Sequence, residues 1–432
     1  MKRFSSLVLI MVLLVGMLVS QAACAAPLPD SVSALKQVKP KYPEAISFDD
    51  FESEKANREA NPVSDSAQKA ISQFTYKTAL PILKDHLANA CYSPVSLYFA
   101  LALASSGAEG RTKNELLELL GFSNVAKLSE QSGNLYRLLY TDHEITQLKV
   151  ANSLWLDDEY QGEPVHFKEP FIRNAVDSFY ASLFKVDFAQ ESTGRAMARW
   201  IADSTNQTLN PTFEPNPEII MSIINTIYFR DEWITAFDES LTKPDTFHPA
   251  DGQDVICDFV NRGNGLGDFN KGDGFTRSEL LLKSRASMIF ILPDPDIDLT
   301  DLLSSSDRLK DVFEGGKRAY GQVTWKIPKF TCDSQFELVD TLKDLGVHAA
   351  FAQTADFSGI TDHLAFISSI IQNTHIAVDE KGVEASAFSK IDYYGAAKPE
   401  GQADMILDRP FLYGIRSATG QLLFIGICGN PG

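Results

Sequence analysis

Positive charge is in short supply in this sequence. Against 57 Asp and Glu stand 39 Lys and Arg, a formal net charge of −18, and no basic cluster interrupts the acidic background. That composition excludes a nucleic-acid surface built on phosphate contacts. Cysteine is sparse, five in 432 residues, and no two stand at metal-ligand spacing. The seven histidines (His86, His143, His166, His248, His348, His363 and His375) are scattered, and none has a second histidine four residues on. No Gly-x-Ser-x-Gly elbow occurs, and Ser66-x-x-Lys69 has no downstream Lys-Thr-Gly partner. Metal, cofactor and catalysis of its own are therefore not expected. No apolar run reaches the roughly 20 residues a membrane-crossing helix needs.

What is present begins with an export signal. Lys2 and Arg3 precede an apolar run from Leu7 to Val19, and small residues follow from Ala22 to Ala26. This predicts a signal peptide over residues 1–25, cleaved after Ala25, and a secreted or periplasmic product. Lipid modification of Cys24 is the alternative and would be the one route to a membrane anchor. Residues 26–65, rich in Pro, Lys and acids with weak periodicity, are expected to be a mostly disordered leader. Cleavage would leave Cys91, Cys257, Cys332 and Cys428, read as buried free thiols rather than a disulfide framework.

The remainder, 66–432, mixes helix and strand patterns without regular alternation, which predicts an α+β fold. Ser93 and Pro94 are set to start a helix that is apolar on all sides through Ala104. Thr112 with Glu115, and Ser334 with Glu337, match the capping-box spacing. Glu191 to Leu209 reads as a helix. Ala151–Leu156, Ile219–Phe229, Met288–Leu292, Phe411–Ile415 and Leu422–Ile427 read as strands, the last two as a hairpin. Phe259 to Phe275, with Gly263, Gly265 and Gly267, reads as a Gly/Asp-rich surface loop. Asp268, Asn270 and Asp273 within it are expected to be solvated, since the distal Glu of a calcium loop is missing.

One stretch organises the rest. Phe366 to Val378 alternates as a strand, with Gln372, Thr374, Ile376 and Val378 on one face. Asp379, Glu380 and Lys381 follow, then Gly382, a candidate hinge. Beyond it the alternation restarts. Val383, Ala385, Ala387 and Ser389 make a small, largely apolar face, and Glu384, Ser386, Phe388 and Lys390 the other. A fixed loop has no reason to keep such a face; a segment that becomes a strand does.

This stretch resembles the hinge of the serpins, the serine protease inhibitor superfamily. Ser93-Pro94-Val95-Ser96, Asn225 to Trp233, Ile327-Pro328-Lys329-Phe330, Ala355 to Ile360 and Arg409-Pro410-Phe411 resemble further serpin signatures, in the same order along the chain. The resemblance implies one domain of three β-sheets and eight or nine helices. It implies an exposed reactive-centre loop over about 382–404, the hinge comprising Glu380 to Ala387. A target serine protease would cut this loop, become acylated and be trapped as the loop enters the main sheet. Counting from the hinge glycine places the reactive bond at Ala396–Ala397, with Tyr394 and Lys398 as alternatives. A cluster of Ser93, Ser96, Asn225 and Gln372, with Trp233, would govern opening of that sheet. Gln372 stands where the family often has His, so a protonation gate is not expected there. Val383 replaces the usual Thr or Ser and brings no hydroxyl. The expected partner is the protease, in a covalent acyl complex with a monomeric inhibitor; the alternative is a non-inhibitory serpin that binds or carries a ligand.

Overall fold

The computed structural model describes residues 37–47, 50–250, 252–384 and 401–432. The predicted helix that is apolar all round is where the fold begins. It spans Pro94–Ser106, and twelve of its thirteen residues are buried. Ser93 starts it: its Oγ accepts from the Ser96 amide at 3.3 Å, satisfying one of the orphan amides of the first turn. Gly107 ends it, where a Cβ would lie 2.2 Å from Ile360 Cγ1. The helix is buried on every side because it lies among Asp65–Asp85, Gly110–Leu120 and Val125–Leu139, and also packs against strands of both large sheets.

The first large sheet has eight strands. We label seven of them: β1 (Gln37–Val38), β2 (Gln147–Asp157), β3 (Ala181–Val186), β4 (Met221–Glu232), β5 (Phe330–Glu337), β6 (Ile367–Val378) and β7 (Gly382–Val383). Their order is β1-β3-β2-β4-β7-β6-β5, with Thr141–Asp142 beside β2. The second sheet has nine strands and carries the expected hairpin, Phe411–Arg416 antiparallel to Leu422–Cys428. The third is the two-stranded Glu159–Pro164 hairpin. Among the described residues there are ten α-helices rather than eight or nine.

Several local expectations are corrected. The leader is structured from residue 37: β1 pairs with β3 at the sheet edge, and Phe51–Ala60 is a helix capped by Asp50. The next helix begins at Asp65, capped by Ser64. The Gly/Asp-rich loop is a strand, Val255–Gly272, paired with Lys317–Pro328 through a register shift between Arg262 and Gly265. Phe259 and Phe269 are buried there, while Asp268 pairs with exposed Arg318 at 3.0 Å. Neither capping-box hydroxyl caps a helix; of the four side chains only Glu337 reaches a first-turn amide of the helix it would cap, Val339 N at 3.3 Å, and it also accepts from Ile370 N at 3.1 Å. Thr112 Oγ1 accepts from Asp356 N at 2.9 Å, and Glu115 accepts from the amides of His348 and Ala349 at 2.7 and 2.6 Å. Ser334 lies inside β5 and accepts from Cys91 N at 3.0 Å. These side chains join distant segments, which spacing alone does not reveal. The helix from Glu191 stops at Ser204, five residues early, and Asn206 and Gln207 follow with positive φ.

Candidate functional site

The strands that matter are β4 and β6. They run parallel and pair directly from Met221–Ile367 to Ile227–Thr374. Beyond Thr374 they part, and β7 fills the wedge. Gly382 pairs with Glu232 and Val383 with Asp231 on β4, while Val383 pairs with Val378 on β6. The Val383 side chain is fully buried. The hinge thus stands as a two-residue strand in the mouth of a seam that is closed below it.

Local chemistry explains why the chain turns back there. The Asp379 carboxylate accepts from the amides of Lys381 and Gly382, at 2.8 and 3.1 Å, and Asp379 N donates to Gly382 O at 3.1 Å. Trp233 closes the turn: its amide donates to Lys381 O and its indole to Asp379 O, both at 2.9 Å. Glu380 leaves the turn sideways, accepting from Thr242 Oγ1 at 2.7 Å and pairing with Lys329 at 3.0 Å. Burial works against the Glu380 charge, but the Thr242 bond, the local backbone and Lys329 more than offset it, so its carboxyl lies below the ordinary range. Gly382 itself is extended. The left-handed residue is Glu384, at φ 53°, so the bend away from the sheet comes two residues after the glycine expected to provide it.

Beneath the hinge the sheet is charged. Asp231 is buried, and desolvation pushes its carboxyl up to about 7 despite hydrogen bonds from the Ser284 hydroxyl and amide. Its neighbour Glu232 pairs with Lys283 at 2.5 Å, both side chains buried. Sequence reasoning gave no signal for this group, because Lys283 and Ser284 lie about fifty residues away on the turn after Phe275–Leu281.

At the closed part of the seam lies the polar cluster. The Gln372 amide grips the Ser93 backbone in both directions: Oε1 accepts from Ser93 N and Nε2 donates to Ser93 O, each at 2.9 Å. Asn225 is the cross-strand partner of Gln372, and its Nδ2 donates to Asn152 Oδ1 at 2.5 Å. Asn152 was missed, since nothing in its strand-like surroundings marks it. Ser96 contributes its amide to the Ser93 cap. Trp233 is not part of this group; it stands with the hinge turn at the open end of the seam. Cys91, Cys257, Cys332 and Cys428 are free thiols. Cys24, Ala385, Ser386, Ala387 and the proposed reactive bond (Ala396–Ala397, with Tyr394 and Lys398) lie outside the described residues.

Residues 69–431 match the family model described as serpin, serine protease inhibitor. The chain is a serpin. Two relatives are a serine protease inhibitor of Cyanea capillata, 29% identical over 387 residues, and Serpin-ZX of Arabidopsis thaliana, 28% identical over 389. Each comparison covers 85% of this chain, and 97% and 98% of the relative. The solved structure of Arabidopsis AtSerpin1 in its native stressed conformation superposes with a TM-score of 0.75 at 26% identity. It covers 85% of this chain and 99% of that one. Serpins are in general protease inhibitors and not enzymes, and their partners are in general serine proteases. The six signature stretches read from the sequence all lie within the matched span.

Proposed function

We propose that this serpin is a secreted suicide-substrate inhibitor of serine proteases, and that Ala396–Ala397 is the bond it offers. The small side chains suit elastase-like or subtilisin-like enzymes, whose pockets are shallow. The protease serine oxygen forms an ester to the carbonyl carbon of residue 396, and the amine of residue 397 leaves with the proton. The freed segment then extends β7 down the seam between β4 and β6, carrying the acyl-enzyme with it. Release of stored strain by loop insertion is a known property of inhibitory serpins, not an inference from this chain.

The observation that supports this reading is the position of Val383, buried in the wedge and paired on both sides. Continuing both registers would set Ala385 between Phe229 and Ile376, Ala387 between Ile227 and Thr374, and Ser389 between Asn225 and Gln372. Each inward position would thus receive a small residue, and the polar one would arrive at the polar cluster. A large or charged residue there would cost several kcal/mol. The seam has groups ready for such a strand: among the described residues, Asn225 Oδ1 and Thr226 Oγ1 on β4 and Asn373 Nδ2 on β6 are buried without a hydrogen-bond partner.

The test is to mix the secreted chain with an elastase-type and a subtilisin-type protease. An SDS-stable adduct is expected, with the released peptide beginning at Ala397 and the mature N-terminus at Ala26. The nicked chain should melt well above the intact one. Clean cleavage by every protease, with no adduct and no rise in melting temperature, would make the protein a non-inhibitory binding or carrier serpin.

A further inference from the structure

The hinge is also held from the side. Asp333 on β5, His375 on β6 and Glu384, the residue after β7, lie together on the outer face of the sheet. Asp333 and His375 are direct register partners. His375 Nδ1 meets Asp333 Oδ1, and its Nε2 lies 2.7 Å from Glu384 Oε1. A neutral imidazole keeps a lone pair on one nitrogen; with a carboxylate oxygen close to each nitrogen that lone pair would face negative charge, so the arrangement favours the imidazolium, as an ion pair on the Glu384 side, where Oε1 is not aligned to accept a hydrogen bond. The Glu384 amide donates to Ala377 O at 3.0 Å, so its backbone has joined the β6 ladder although its φ turns the chain away. From β4, Tyr228 faces the same carboxylate. One side chain therefore ties the hinge to three strands at the point where it enters the sheet.

Such a tie has a specific use. Side chains alternate along a strand, so a slip of one residue would turn Val383 outward and drive the Glu384 carboxylate into the apolar interior beside Phe229 and Ile376. Backbone bonds alone do not prevent this, since a slipped strand forms equivalent ones. A charge that can be satisfied only on the outer face does.

We propose that Asp333, His375 and Glu384 form a protonated clamp that sets the register in which the hinge stands between β4 and β6, making Asp333 and His375 positioning residues for loop insertion. The proposal rests on the insertion reading above. Burial works against the His375 charge, but the contacts with Glu384 and Asp333 prevail and raise it to about 9. The charged and titratable groups around it are Asp333 from β5 and Glu384 from the hinge, with Tyr228 and Arg230 of β4 beyond Glu384. Because the docked value is raised, the clamp is fully present below the ordinary histidine pKa, as long as the carboxylates stay ionised, and is lost as pH rises through about 9.

The experiment follows His375 and insertion separately in the full chain. In the intact protein, His375 is titrated by NMR in wild type and in E384Q; its midpoint is expected to fall by at least about one unit in the variant. Each chain is then nicked in the loop, and its conversion to a urea-resistant form is timed between pH 7.5 and 10. Wild type should slow about tenfold across that range, the loss of one charge-assisted contact. H375F and E384Q should be slow throughout and flat with pH. If wild type converts but the variants match its rate and pH profile, the clamp is refuted and insertion stands. If nicked wild type never converts, insertion itself fails and the clamp positions nothing, whatever His375 titrates at.

Discussion

Replacing Val383 by Glu tests the wedge directly. In the native fold this side chain is fully buried and its neighbour across β4 is Asp231, whose carboxyl is already pushed up to about 7 by burial. A second carboxylate there would have to compete with Glu232 for Lys283, which that residue already holds. Burying an unpaired charge costs several kcal/mol, so the hinge leaves the wedge instead. Leaving forfeits the burial of a valine, about 1.5–3 kcal/mol. It also forfeits hydrogen bonds of two short ladders at about 0.5–1.5 kcal/mol each. Docking is thus disfavoured by about 3–6 kcal/mol in total. If about half of that appears in the barrier to insertion, the insertion step slows by one to two decades, since about 1.4 kcal/mol is a factor of ten. Deacylation is untouched and wins the competition. The assay is densitometry of adduct against cleaved chain after reaction with the most responsive protease. The V383E protein should be cut at nearly the wild-type rate and yield almost only cleaved product, while V383T, similar in volume, should keep the adduct. An adduct yield equal to wild type in V383E would refute the idea that this residue must lie inside the sheet.

Two further outcomes follow from the buried ionisable groups. Since the Asp231 carboxyl is raised above its unfolded value, its contribution to stability is present below about pH 4 and is lost as pH rises through about 7. D231N should remove that loss, so between pH 5 and 7 the stability difference between variant and wild type should move by about 2 kcal/mol in favour of the variant, read from urea midpoints. Burial also pushes up the thiols of Cys91 and Cys428, and to a lesser degree those of Cys332 and half-buried Cys257. In the native chain produced from Ala26 onward an aromatic disulfide reagent should therefore modify Cys257 first, and Cys91, Cys332 and Cys428 only on unfolding; prompt reaction of Cys91 would contradict the packing.

What the sequence made legible was whatever depends on local repetition. The helix from Pro94 could be read because a cap, a first-turn proline and an unbroken apolar run coincide, and β6 because its alternation spans a full strand. The wedge was partly legible: the small face from Val383 onward was visible, but not that Val383 is already docked, which depends on β4, some 150 residues earlier. The strand Val255–Gly272 was hidden because its glycines and aspartates carry no alternating pattern; its partner, Lys317–Pro328, supplies the order. The two false capping boxes have the right spacing, yet both hydroxyls and the Glu115 carboxylate serve amides far away in sequence, and Glu337 divides itself between the nearby Val339 amide and that of distant Ile370. The clamp at His375 was invisible for the same reason: three strands must be placed before one histidine can be seen to face two acids.

The two ends of the seam are fastened differently, and under the proposed mechanism that sets where an entering strand meets resistance. At the open end β4 and β6 have already parted, so extending β7 by the first few residues breaks no strand pairing. From Thr374 downward every further residue must separate a ladder, and two pairs below lies Gln372, bonded to both backbone groups of Ser93 at the start of the buried helix. Replacing Gln372 by Leu keeps the bulk and deletes both bonds. The Ser93 amide is then left without a partner in the interior, while its carbonyl keeps the Leu97 amide at 3.3 Å. A buried orphan amide with its lost bond costs about 1–3 kcal/mol. For Q372L we expect an intact chain that melts several degrees lower and, once nicked, converts faster, because the native fastening is weakened while the inward position still accepts an apolar side chain. Differential scanning of intact and nicked protein measures both. Should Q372L melt lower yet convert at the wild-type rate, the grip on Ser93 holds the helix and not the seam, and the resistance must be sought among Asn225, Asn152 and the strand pairing itself.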